Sequence, residues 1–137
     1  MRELEFRYPS ELVVIGVHSG KYHAERVTPR IRDASIRLDA AHPVVNDRQF
    51  RIWRSYAISA WPTLVAIDPA GYVVGTHAGE FTSEMLVPFI DDLIAKAKSS
   101  GTMNEYPLHF EADPPTMSPG KLRYPGKVVV RGKTMAI

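Results

Sequence analysis

Apolar residues are concentrated in short, nearly unbroken runs that are typical of β-strands. Three such runs are Leu12–Val17, Pro43–Asn46 and Leu64–Ile67. The first run indicates a strand that is buried on both faces, as strands of parallel sheets are. It is followed by His18-Ser19-Gly20-Lys21, which predicts a loop. We therefore expect a sheet whose strands alternate with helices.

Three segments in the first half of the chain have features of helices. Residues 2–8 are compatible with a short helix. Thr28 can cap a second helix, with Pro29 at its first position. Asp47 can cap a third helix, on which Trp53 is interpreted as a core or groove residue. The apolar residues that recur on this third helix are Phe50, Trp53 and Ala57.

The second half of the chain predicts a hairpin and then a long helix. Residues 63–76 form an antiparallel hairpin pattern around the turn Asp68–Gly71. The helix is capped by Thr82 or Ser83, and it ends at residues 99–101. Its apolar stripe consists of Leu86, Phe89, Ile90, Leu93, Ile94 and Ala97. Together with the earlier elements, this order predicts an α/β fold.

The composition changes after residue 101. Residues 102–120 contain four prolines and few aliphatic side chains, which is typical of a linker. A strand pattern resumes from Leu122 to Val130. We therefore divide the chain into an α/β domain at 1–101, a Pro-rich linker at 102–120 and the start of a following β-domain at 121–137.

Charge and hydropathy exclude two kinds of partner. The 137 residues carry 17 Lys and Arg against 15 Asp and Glu, and five of the basic residues lie beside valines in the strand-like segment 121–137. A nucleic-acid-binding face would instead cluster basic residues with aromatic ones, so we expect no nucleic-acid partner. No apolar run approaches the ~18 residues of a membrane helix, and the N-terminus has no signal-peptide core. We therefore expect no membrane partner and favour a soluble, cytoplasmic protein.

The side chains show no catalytic constellation. Cysteine is absent, which removes disulfides, thiolate catalysis and thiolate zinc sites. His18 and His23 do not have a standard metal-ligand spacing, and the chain has neither a phosphate-binding glycine loop nor a Gly-x-Ser-x-Gly motif. Ser19 and His18 are interpreted as ordinary loop residues, because adjacent side chains at a strand end usually diverge. We therefore predict neither a metal nor a cofactor.

Three separate segments resemble one known family. Ala60–Val74 (AWPTLVAIDPAGYVV) resembles the second half of the thioredoxin fold, where a cis-proline loop leads into a hairpin and a final helix. Leu12–Tyr22 (LVVIGVHSGKY) and Ala41–Asp47 (AHPVVND) resemble the redoxin-type, thioredoxin-like domain of NHL-repeat-containing proteins. The closing LRYPGKVVV is similar to the entry strand of the β-propeller in those proteins. The resemblance covers about residues 1–130 and implies a thioredoxin-like α/β/α sandwich.

The resemblance also implies that two parts of the sandwich lie outside this chain. Members of this branch carry a Cys-x-x-Cys after the central strand, at the start of the first long helix, and residues 2–8 are similar to the tail of that helix. We therefore expect the chain to lack the Cys-x-x-Cys-bearing central strand, the start of the first helix and the C-terminal β-propeller. The absent strand would lie between the strands at 12–17 and 63–68.

The resemblance places the candidate site at Trp61, Pro62 and Thr63. Pro62 matches the cis-proline whose loop faces the active cysteines in thioredoxins and pairs its backbone with an extended peptide. Trp61 and Thr63 flank it in the same loop. Without thiolates, these residues could recognise a peptide or protein segment but could not exchange disulfides. A redox-inactive, thioredoxin-like domain is therefore the leading interpretation.

Two other functions remain open. The intact protein would be a thiol–disulfide oxidoreductase if a Cys-x-x-Cys lies upstream of Met1, whereas a purely structural module would dock the propeller and bind no peptide. Unpaired strand edges also predict self-association. That tendency would be removed if 12–17 paired directly with 63–68, which we favour, or if the strand at 122–130 filled the gap.

Overall fold

Helices and strands alternate through the part of the chain that a computed structural model describes. That part comprises residues 1–104 and 110, together with the backbone of 129–131 and 134–136. The elements in chain order are α1 (Arg2–Arg7), β1 (Gly16–His18), a 3₁₀ helix (His23–Arg26), α2 (Thr28–Arg37), β2 (Val44–Asn46), α3 (Arg51–Ser55), β3 (Thr63–Ile67), β4 (Val73–Ala78), α4 (Ser83–Ser99), β5 (Val129–Arg131) and β6 (Thr134–Ala136). This mixture of helices and strands is consistent with the predicted α/β class.

The described strands form three separate two-stranded sheets. β1 pairs with β2 in parallel, with Val17 opposite Val45. β3 pairs with β4 in an antiparallel hairpin whose register runs from Thr63 opposite Ala78 to Ile67 opposite Val73. β5 and β6 form a second antiparallel hairpin. Each strand in these sheets therefore has a neighbour on one side only.

The predicted pairing of 12–17 with 63–68 is wrong for the described strands. β1 is bonded to β2 and β3 to β4, with no bridge between the two pairs. The alternative, in which the C-terminal strand fills the gap, also fails for residues 129–131, because β5 pairs with β6. The rest of that predicted strand, at 122–128, lies outside the described residues, as does most of the predicted linker.

The first strand is also shorter and more exposed than its apolar run predicted. β1 begins only at Gly16, and Val13, Ile15 and Val17 are 45%, 57% and 43% exposed. The run pairs with β2 only from Gly16 onward, and the face that carries Val13, Ile15 and Val17 stays about half exposed to solvent. A run of apolar residues specifies a strand that could be buried on both faces, but burial itself requires neighbours from elsewhere.

The second helix begins one residue earlier than predicted. Thr28 is its first helical residue and Val27 is the N-cap, so the side chain of Thr28 does not cap it. The Thr28 hydroxyl instead accepts a hydrogen bond from the Asn46 amide at 3.0 Å. A long-range contact to the end of β2 therefore takes the place of the expected local one.

The hairpin and the last helix confirm the predictions for the second half. Gly71 adopts φ 91° in the turn and donates its N–H to the Asp68 carbonyl at 2.9 Å. Thr82 caps α4 by accepting from the Met85 N–H. A Cβ added to Gly75 of β4 would lie 2.9 Å from the ring of Phe89, so the hairpin packs closely against α4. Glycine at this position permits that close approach.

The most deeply buried apolar side chains hold α1 against α4. Leu4 and Tyr8 are 1% and 6% exposed, and Ala97 of α4 is 5% exposed. The Tyr8 hydroxyl donates to the Asp91 carboxylate at 2.7 Å, which adds a polar contact between the first and last helices. Among the described residues, no helix has the length and apolar character needed to cross a bilayer.

Candidate functional site

The three residues of the predicted site lie together where the chain enters β3. The Trp61–Pro62 peptide bond is cis, which confirms the isomer that the resemblance implied. Pro62 has no N–H, and its carbonyl accepts from the Gly79 N–H at 2.8 Å. The Thr63 hydroxyl donates to the Ala60 carbonyl at 2.7 Å. The loop is therefore held from both sides, while Trp61 and Pro62 stay exposed.

The Trp61 side chain is the exposed member of a set of three contacting rings, which we call the aromatic cluster: Phe50, Trp53 and Trp61. The two indole rings are tilted by 37° with their centroids 4.2 Å apart. Phe50 meets Trp53 and Trp61 edge to face, at 5.7 Å and 6.5 Å. Such contacts stabilise aromatic pairs beyond the area that they bury. Trp61 nevertheless keeps 52% of its surface exposed.

The loop after β1 fixes the orientation of Trp61. The indole N–H donates to the carbonyl of Ser19 at 3.0 Å, across 42 residues of sequence. Ser19 itself is 7% exposed, and its hydroxyl donates to the Asp47 carboxylate at 3.1 Å. The loops that follow β1 and β2 and precede β3 therefore meet at one place.

Asp47 organises the start of α3 at this meeting point. Its carboxylate is 5% exposed and accepts from the backbone N–H groups of Arg51, Ile52 and Trp53 at 2.7, 3.2 and 2.9 Å. Phe50, in the left-handed conformation with φ 56°, occupies the N-cap position itself. Asp47 is therefore not the N-cap residue of α3, but its carboxylate accepts the N–H groups of the first turn as a cap would, from three positions before Phe50.

The pKa of Asp47 reflects these opposing influences. Burial by itself would raise the pKa of this carboxyl. Hydrogen bonds from the N–H groups of Trp53 and Ile52, together with those from Ser19 and Arg51, stabilise the charged form more strongly. The pKa of Asp47 therefore lies below its ordinary value of 3.8. A charged carboxylate is consequently part of the folded site near neutral pH.

Arg26 completes the cluster on its other side. Its guanidinium carbon lies 5.0 Å from the centroid of the Phe50 ring, within the range of a cation–π contact. Two of its nitrogens donate to the carbonyls of Gly20 and Lys21 at 3.0 and 3.4 Å. Arg26 thus places a positive charge beside an aromatic ring and contacts carbonyl groups rather than a carboxylate.

The family resemblance pointed to Trp61, Pro62 and Thr63, but nothing in the sequence indicated the residues that support them. Trp53 was interpreted as a core or groove residue, and its partly buried contact with Trp61 agrees with that. The roles of Ser19 and Arg26 depend on contacts between distant loops and left no local signal. The adjacent residues His18 and Ser19 bond to different partners: His18 contacts the Glu25 carbonyl at 3.1 Å, and the Ser19 hydroxyl donates to the Asp47 carboxylate.

The described residues contain no group of three or more side chains suited to holding a metal ion. A thiol is absent from the whole chain. What the site presents is an exposed indole, a proline loop and a guanidinium beside an aromatic ring. The fold and this site define a mixed α/β domain with an exposed cis-proline loop at the entry to β3.

Comparison with known proteins identifies relatives over nearly the whole chain. It is 35% identical over 132 residues to NHL repeat-containing protein 2 of Gallus gallus, which covers 95% of this chain and 18% of that protein. The human protein of the same name is 31% identical over the same shares. Protein SUPPRESSOR OF QUENCHING 1, chloroplastic, of Arabidopsis thaliana is 35% identical over 93% of this chain and 12% of its own length. No family model matches the chain.

These similarities support a family that includes NHL repeat-containing proteins. The chain spans less than a fifth of the length of these relatives. The matched region includes most of the described residues and therefore includes the cis-proline loop and the aromatic cluster.

Proposed function

We propose that this chain is a thioredoxin-like domain of an NHL-repeat-family protein that holds an extended polypeptide at its cis-proline loop and is itself redox-inactive. The observation that carries the proposal is the half-exposed Trp61 indole, which its bond to the Ser19 carbonyl holds beside the proline loop at the entry to β3. The order of a parallel strand pair, an antiparallel hairpin and a final helix also suits this fold. The relatives named above support the family context.

The loop provides two kinds of contact for a polypeptide. The exposed ring of Trp61 offers an apolar surface whose position is fixed by the bond to Ser19. The resemblance supplies the second contact, because the backbone of the matching loop pairs with an extended peptide in thioredoxins, and here the loop residues Trp61 and Pro62 are exposed. Pairing with an extended backbone is a general mode of peptide recognition.

The absence of cysteine limits what the bound segment can undergo. Disulfide exchange requires a thiolate that attacks one sulfur of the substrate disulfide and displaces the other. No residue of this chain supplies that thiolate. The role proposed for these residues is therefore to bind and orient a polypeptide.

Replacing Trp61 tests the binding role directly. With fluorescein-labelled, reduced and carboxymethylated α-lactalbumin as an unfolded probe, we expect W61A to weaken binding about tenfold in fluorescence anisotropy, because an exposed aromatic anchor is lost. W61F should keep most of the affinity. Y72A is the matched control, since Tyr72 is 71% exposed but lies at the opposite end of the hairpin. Equal binding by the parent, W61A and Y72A proteins would refute a site at Trp61.

A thiol–disulfide oxidoreductase is the second candidate for the longer protein. The resemblance favours it, because in that family the reacting cysteines lie opposite the loop that matches Trp61, Pro62 and Thr63. In that case a Cys-x-x-Cys outside these 137 residues would supply the thiolate, and a β-propeller would follow the domain. A purely structural docking module is the third candidate, and the absence of any probe binding would favour it.

Insulin reduction separates the chain itself from an oxidoreductase. We expect the 137-residue chain to leave the rate of insulin precipitation by dithiothreitol unchanged, because it has no thiol to cycle. Turbidity measurement with thioredoxin as the positive control checks this. An acceleration by the purified chain would overturn the redox-inactive assignment without bearing on whether Trp61 binds polypeptides.

A further inference from the structure

We propose that the site around Trp61 selects acidic extended segments, with an apolar or aromatic side chain against the indole and carboxylates against the neighbouring arginines. This inference rests on the proposed peptide-binding function and names the class of polypeptide that the same site takes. It follows from the charges that surround the aromatic cluster, which the binding role alone does not use.

The surface beside the cluster carries exposed arginines. Arg48 lies between Asp47 and Phe50 in the sequence, and Arg51 and Arg54 lie three positions apart on α3, the helix that carries Trp53, so they share one face of it. All three are exposed, and none forms a salt bridge within the described part of the chain. Their positive charges are therefore open to an incoming carboxylate.

The acidic side chains nearest in sequence are already engaged. The Asp47 carboxylate is buried and accepts four hydrogen bonds, from Ser19 and from three N–H groups of α3. The Glu25 carboxylate accepts from the Tyr22 N–H at 3.0 Å. Neither carboxylate pairs with the guanidinium group of Arg51 or Arg54.

Arg26 brings the charge next to the rings themselves. Its guanidinium lies over Phe50 and donates to two carbonyls, which hold it in place and leave its charge unneutralised by a carboxylate. A guanidinium that is already oriented loses little freedom when it binds a carboxylate. Phe50 also contacts Trp61, with 6.5 Å between the ring centroids, so a peptide ring on Trp61 would join the same cluster that carries this oriented positive charge.

A polypeptide suits this surface better than a nucleic acid. Single-stranded nucleic acids are bound by successive stacking platforms along a basic groove. Here Trp61 is the exposed ring of the cluster, and Phe50 and Trp53 are partly buried against it. The exposed loop at Trp61 can pair with an extended peptide, because a peptide backbone carries a donor and an acceptor at nearly every residue.

Two short peptides test the charge preference on the full 137-residue chain. Both are labelled with fluorescein and have a central tyrosine. Four glutamates flank the tyrosine in one peptide, and four lysines flank it in the other. We expect the acidic peptide to bind at least about tenfold more tightly at low salt, with the difference shrinking as salt rises. Uncharged polyglycine with a central tyrosine serves as the neutral reference.

Paired substitutions locate the source of that preference. R51Q/R54Q should weaken binding of the acidic peptide about threefold to fivefold and leave the neutral peptide unchanged. K96Q/K98Q removes the same amount of charge from the last turn of α4. Lys98 contacts Glu11, which precedes the run Leu12–Val17, whereas Ser19 and the site follow that run. This control should leave both affinities unchanged.

The outcomes separate this inference from the binding function on which it rests. Equal binding of all three peptides overturns the charge preference and leaves binding at Trp61 standing. An acidic preference that survives R51Q/R54Q unchanged, or is lost equally in K96Q/K98Q, overturns the assignment to this surface. Displacement of the acidic peptide by polyuridylate at matched charge concentration overturns the choice of a polypeptide. No binding of any peptide removes the proposed function as well.

Discussion

Asp47→Ala is expected to lower the free energy of unfolding by about 3 kcal/mol. The substitution removes a carboxylate that is 5% exposed and accepts three backbone N–H groups and the Ser19 hydroxyl. Hydrogen bonds to charged groups contribute more than neutral ones, and buried donors that lose their acceptor carry the full desolvation penalty. Urea unfolding followed by far-UV circular dichroism measures the effect.

The loss should reach the candidate site as well as the stability. The three N–H groups belong to Arg51, Ile52 and Trp53, so the carboxylate fixes the first turn of α3 and with it the ring that contacts Trp61. We therefore expect the fluorescence of the two tryptophans to change in D47A even under conditions where the chain stays folded.

Acid titration gives the same contact a pH signature. Because the pKa of Asp47 is lower in the folded chain than its ordinary value of 3.8, its contribution to stability is fully present above that value. The contribution is lost as the pH falls through the lower, folded-state pKa. Stability of the parent chain should therefore drop below about pH 4, and D47N should show a shallower drop because that position no longer titrates.

Two variants keep this prediction falsifiable even if D47A unfolds. D47N retains an acceptor oxygen and should be destabilised by less than D47A, since part of the hydrogen bonding survives. D92A removes a carboxylate of α4 that is exposed and pairs with Lys96, so it should change stability by about 0.5 kcal/mol or less. An effect of D92A as large as that of D47A would contradict the special role of the buried carboxylate.

Elements whose signals are local were predictable from the sequence. Thr82 stands directly before an apolar stripe at helical spacing, and α4 begins after it as expected. The turn Asp68–Gly71 combines proline and glycine at suitable positions, and the hairpin forms around it. In both cases the residues that determine the element lie within a few positions of one another, so no information about distant contacts was needed.

The exposed first strand and the support of the site could not be read in this way. Leu12–Val17 has the composition of a buried strand, but whether it is buried depends on which chain segments lie beside it. The Trp61 indole is oriented by a carbonyl 42 residues away, and any residue at position 19 has such a carbonyl. A backbone acceptor leaves no trace in the amino-acid sequence, which is why the family resemblance located the loop but not its support.

The same distinction applies to α1, whose six residues are too few to form a stable helix alone. Its stability must come from packing, and the structure shows that packing concentrated on one side chain. Leu4 is 1% exposed, whereas Phe6, two positions along, is 76% exposed. Polar contacts to the rest of the chain, such as Glu5 with His42 at 3.1 Å, lie at the margin of this contact.

Leu4→Ala should therefore lower the free energy of unfolding by about 3 kcal/mol, since it removes a buried side chain and leaves a cavity between α1 and α4. Alanine has the higher helix propensity, so any destabilisation reports lost packing rather than a weakened helix. F6A is the matched control on the same helix and should change stability by about 0.5 kcal/mol or less. Chemical unfolding of the three proteins measures the difference.

If L4A and F6A were equally stable, α1 would not be docked on α4 as described. If L4A were destabilised but still bound the probe protein with the parent affinity, the packing of α1 and the recognition surface at Trp61 would be energetically separate parts of the domain.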